Sequence, residues 1–124
     1  MRMAVFTSER FRPFLPDGCQ VNPNVLGFEL ASWLSESLAR NGVVTSYPSE
    51  EDWGWYLEFA DGDLDYQICC SGAKENESYE WRVFVVPLKR FLRSRPPQAM
   101  ADELFESVLD CLKESGIEAV IEDA

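Results

Sequence analysis

The chain has 124 residues, 46% hydrophobic and 13% aromatic, with 22 acids, 11 bases and no histidine, for a formal net charge of −11. That length fits a single domain, 1–124, with one hydrophobic core, and the charge opposes association with nucleic-acid phosphates or an anionic membrane surface. The absence of histidine excludes Ser-His-Asp and Cys-His catalysis and the common His-containing metal sites.

The start, Met1 to Arg10, is charged too soon for a signal peptide, and no apolar run nears the roughly 18 residues of a membrane span. A cytoplasmic protein is expected. Residues 3–7 read as a first strand, with Met3, Val5 and Thr7 on one face and Ala4 and Phe6 on the other. Pro13, Pro16 and Asp17-Gly18 then predict an ordered loop anchored by Phe11, Phe14 and Leu15. Asn22 can cap a helix and Pro23 is tolerated in its first turn. Leu26, Leu30, Trp33, Leu34 and Leu38 recur every three or four residues, which predicts a helix over 23–40, stopped by Asn41-Gly42.

Val43 to Tyr47 predicts a short strand closed by Pro48, followed by an acidic loop. Trp53, Trp55, Leu57 and Phe59 then alternate with Gly54, Tyr56, Glu58 and Ala60, the period of a half-buried strand. Asp61-Gly62 signals a hairpin, and Leu64, Tyr66, Ile68 and Cys70 carry the alternation along the return. A polar loop over 71–78 leads to a strand over 80–86, ended by Pro87, with Trp81, Val83 and Val85 on one face. Ala101, Leu104, Phe105, Val108 and Leu112 mark a second helix over 97–114, with Gly116 as its stop. Alternation over 117–122 predicts a last strand.

The order β-α-β-β-β-β-α-β, with tight turns between the middle strands, predicts an α+β two-layer sandwich. Its sheet is mostly antiparallel and both helices lie on one face. In order of elements it resembles the β-α-β4-α arrangement of the TATA-binding-protein-like folds. That resemblance is one of topology and implies no residues and no function.

The segment Ser49 to Tyr56 sets Glu50, Glu51 and Asp52 against Trp53, Trp55 and Tyr56. On the helix side Trp53 and Trp55 are core, and Tyr56 faces away from them. Any tryptophan left exposed is a candidate interface anchor, and the acids beside it would select a basic partner. A second cluster, Arg82, Lys89, Arg90, Arg93 and Arg95, holds five of the eleven bases. It reads either as charges paired with surface acids or as a site for an anionic ligand.

Asp61, Asp63 and Asp65 alternate like the start of a calcium loop but lack its glycine and terminal glutamate positions, so a turn explains them. Cys19, Cys69, Cys70 and Cys111 show no Cys-x-x-Cys spacing and are expected to be buried, reduced thiols. No metal, no cofactor and no enzymatic activity are expected. The main functional expectation is a binding or inhibitory partner for a basic protein surface. The alternative is a module for a small anionic ligand, and a third reading is a homodimer built on a sheet face or edge.

Overall fold

Where apolar residues alternate in this chain, the backbone pairs into strands, and where they recur at helical spacing, it coils and lies across them. The computed structural model describes residues 1–20, 22–90 and 94–123. Among the described residues six strands form one antiparallel sheet: β1 (Arg2–Thr7), β2 (Ser49–Glu51), β3 (Gly54–Asp61), β4 (Leu64–Glu75), β5 (Ser78–Leu88) and β6 (Val120–Asp123). Their order across the sheet is β2-β3-β4-β5-β1-β6. Two helices, α1 (Phe28–Arg40) and α2 (Gln98–Glu114), cover one face, which gives the expected α+β two-layer sandwich. No helix of the described residues is long and apolar enough to cross a membrane.

The core lies between the layers. Leu30, Leu34 and Leu38 of α1 and Leu104, Phe105, Val108 and Leu112 of α2 pack on Leu57, Ile68, Trp81, Val83 and Val85 of the sheet. Each such side chain contributes about 1.5–3 kcal/mol by leaving water. Trp81 lies opposite Gly72 on β4, where a Cβ would collide with its six-membered ring, so the missing side chain makes room for the indole. The Trp81 indole N–H donates to the Ser8 carbonyl at 2.9 Å, which satisfies it within the core. The start of α2 is tied to the sheet by the Tyr66 hydroxyl, which donates to the Pro97 carbonyl at 3.0 Å.

Several boundaries differ from expectation. α1 starts at Phe28, not at residue 23. The Asn22 side chain accepts from the Asn24 N–H at 3.1 Å and the Asn22 carbonyl from the Val25 N–H, so Asn22-Pro23 makes a turn instead of a cap. Residues 43–47 are not a strand, although Ser46 still donates its N–H to the Glu58 carbonyl. The strand is instead the polar Ser49–Glu51, since an edge strand needs backbone pairing more than burial. The expected loop over 71–78 is also a ladder, which runs to the pair Glu75 and Ser78, with Asn76 left-handed (φ 55°) in the turn.

Pro87 does not end β5. It pairs with Tyr66 of β4 but lies beyond the pairs made with β1, which stop at Phe84, so at that point β5 is an edge, where a strand tolerates proline. Phe11 is a buried anchor as expected, whereas Phe14 and Leu15 are 70% and 47% exposed. The last strand begins at Val120, and all four of its residues are exposed.

Candidate functional site

The two-residue turn Asp52-Trp53 joins β2 to β3, with Ser49 opposite Tyr56, Glu50 opposite Trp55 and Glu51 opposite Gly54. Cross-strand partners share a face of the sheet. Glu50 and Trp55 therefore point to the helix side, and Ser49, Glu51 and Tyr56 to the outer side. A Cβ at Gly54 would collide with the Cys70 carbonyl oxygen, so only glycine lets the hairpin sit this close to β4. The same oxygen lies where Gly27 enters α1. Gly27 has φ 130°, and a Cβ there would come within 2.8 Å of that oxygen. This entry places Phe28 edge-on to Trp55, with ring centroids 5.1 Å apart.

The two tryptophans of the segment part company here. Trp55 is half-buried and packs on the core. Trp53 belongs to the turn and escapes the alternation of β3. It is 46% exposed, and its ring lies 6.2 Å from Phe84 on the outer face. This corrects the expectation that Trp53 faces the helices. The indole N–H of Trp55 is buried without an acceptor among the described residues, and an unmatched buried donor costs about 1–3 kcal/mol.

Register places Ser49, Tyr56, Cys69, Phe84, Met3 and Glu122 in one row across the outer face. Among the described residues no helix covers this row, yet Cys69 is only 2% exposed. Its neighbours Tyr56 and Phe84, with Trp53 against Phe84, shield it. Burial pushes the Cys69 thiol from its ordinary 9.0 up to about 12, and raises those of Cys70 and Cys111 as well. Cys19 departs from the expected burial, being exposed in the loop before α1. Phe84 and Phe28 were not singled out in the sequence. Phe84 was signalled only by sharing a face with Arg82 and Val86.

Glu50, Glu51 and Asp52 are all exposed and make no ion pair with a described residue. With twice as many acids as bases, an unpaired acid is ordinary in this chain, so what distinguishes Glu51 and Asp52 is their place beside an exposed indole. The basic cluster is dispersed by comparison. Arg82 projects from the middle of β5 and pairs with Glu80 at 2.7 Å. Arg90 follows the end of β5 and pairs with Asp65 at 2.9 Å. Arg82 is six residues from the end of that strand, roughly 20 Å at about 3.3 Å per residue. Lys89 and Arg95 are exposed, and Arg93 lies outside the described residues.

Compared with known proteins, the chain matches no family model, no curated protein and no solved structure.

Proposed function

We propose that the protein is a non-enzymatic binding or inhibitory partner that engages a basic surface of another protein through the β2–β3 hairpin. Glu50, Glu51 and Asp52 supply the attraction, and Trp53 and Tyr56 supply apolar contact. The observation that carries the reading is the coincidence, at one hairpin, of three exposed carboxylates without ion pairs to described residues and an indole left 46% exposed. Exposed carboxylates on a chain of net charge −11 steer a cationic partner inward. An aromatic ring beside them is the residue type that anchors interfaces.

The test is capture from the host lysate by the wild type and by Glu50→Gln/Glu51→Gln/Asp52→Asn, at low salt and at about 0.5 M salt, where charges more than about 4 Å apart are screened. The wild type should retain a basic protein at low salt and release it at high salt. The neutralised variant should slow its association roughly tenfold at low salt, with little change at high salt. Trp53→Ala should weaken affinity roughly tenfold or more through faster dissociation. Equal capture by the wild type and the neutralised variant would overturn the reading.

A further inference from the structure

On the helix side of the hairpin, the loop before α1 closes against Trp55 to form a cleft of about 180 Å3. Phe14, Leu26, Phe28 and Trp55 provide its apolar walls, and the carboxylates of Glu29 and Glu50 are its charged groups. No lysine or arginine lines it among the described residues, and neither glutamate has an ion-pair partner there. Phe28 and Trp55 meet at an interplanar angle of 69°, so their rings form two sides of a corner. Two aromatic walls with carboxylates at the rim attract a cation by ring quadrupole and by charge together. An anion meets only repulsion.

Volume narrows the ligand further. Sites for cofactors and drug-sized metabolites run from about 300 to 1,000 Å3, and a cavity of about 150 Å3 holds one benzene ring. The cleft has room for one long side chain and not for a nucleotide.

We propose that this cleft receives the side chain of a lysine or arginine presented by a partner protein. The apolar stem lies against Phe28 and Trp55, and the cationic head meets Glu29 and Glu50. The inference rests on the reading of the hairpin as a surface for a basic protein, and gives that surface a specific pocket. Glu50 belongs to both. Glu51 and Asp52 do not line the cleft.

The experiment titrates the isolated protein with N-acetyl-lysine methylamide and N-acetyl-arginine methylamide, following the indole N–H resonances by NMR. The Trp55 resonance is identified by its loss in Trp55→Phe. At least one basic probe should shift it saturably, with a dissociation constant on the order of 1 mM. N-acetyl-norleucine methylamide, which has the stem without the charge, should bind at least tenfold more weakly. Glu29→Gln/Glu50→Gln should lose at least tenfold in affinity for the basic probe, with its fold checked by circular dichroism. Cys19 lies exposed at the lining, so Cys19→Trp, which fills the cleft without touching a charge, should abolish binding.

A flat titration with both basic probes, or equal binding of the norleucine probe, overturns the proposal. The two readings fail separately. No probe binding, with capture still lost on neutralising the hairpin, removes the cleft and leaves the hairpin. Probe binding with capture indifferent to Glu51 and Asp52 removes the hairpin as the partner surface, and with it the partner as the source of the side chain.

Discussion

The two faces of the sheet are closed by different means. On the inner face Trp81, Ile68 and Cys70 lie beneath two helices and are fully buried. On the outer face Cys69 and Val5 are 2% and 8% exposed with no described helix above them, among their neighbours on the sheet. Cys69 and Cys70 are adjacent in the chain, so one step along β4 passes from one kind of cover to the other. A layer of helices is held by many contacts at once and opens only when the fold opens. A lid of side chains is held by a few rings, which a docking partner can displace and replace. The outer face is therefore where burial is cheapest to exchange, and it adjoins the acidic turn.

Replacing the central inner ring should have the largest effect. Trp81→Ala removes a buried indole and its hydrogen bond to Ser8, and should cost about 3–5 kcal/mol in urea unfolding. A loss below about 1 kcal/mol would mean that the helices do not close the inner face as described.

Alkaline titration compares the faces more sharply. In the folded chain Cys69 holds its proton up to about 12, whereas its ordinary value is 9.0. Below 9 both folded and unfolded states bind the proton, and the stability is independent of this group. Above 9 the unfolded state releases its proton first, so stability falls by about 1.4 kcal/mol per pH unit until the folded thiol ionises too. Cys70 is shifted in the same direction by burial, so it adds a fall of the same sign. Thermal melts at pH 9 to 11 should therefore flatten by one thiol's share in Cys69→Ala. An unchanged slope would show that the outer lid does not keep water from Cys69.

Trp53→Ala should change stability least, by about 1 kcal/mol or less, since its ring is nearly half exposed. Its signature is local. Iodoacetamide should modify Cys19 alone in the native wild type, because the other three thiols are buried. Cys69 should become the second thiol to react once Trp53 is removed, read by mass spectrometry. A variant whose Cys69 stays as inert as Cys70 would dissolve the contrast between the faces.

What could be read from the sequence was what repeats. The period of two in β3, β4 and β5 and the stripes of α1 and α2 name core residues because burial imposes them. Trp53 broke that logic. Its spacing from Trp55 is that of a strand, but Asp52-Trp53 is a turn, and a turn carries no alternation. Ser49–Glu51 could not be told from a loop, because an edge strand can be wholly polar when its backbone has a partner. Asn22 offered the same side chain for a cap and for a turn, and the choice went to the turn because α1 must enter at Gly27 to pass the Cys70 carbonyl. The cleft was illegible for a related reason. Its walls come from a loop, a helix start and a strand whose meeting depends on that one glycine.

The position of β1 sets the order in which the chain can complete itself. The strand β1 is not an edge but sits between β5, which starts at Ser78, and β6, which starts at Val120. During synthesis β1 waits with both flanks open while the hairpins from β2 to β5 form from neighbouring segments. Its apolar Met3-Ala4-Val5-Phe6 is then the segment most exposed to wrong pairing with another nascent chain. Closing the sheet requires pairing β1 with β5 and β6, the contacts of greatest sequence separation in this sheet.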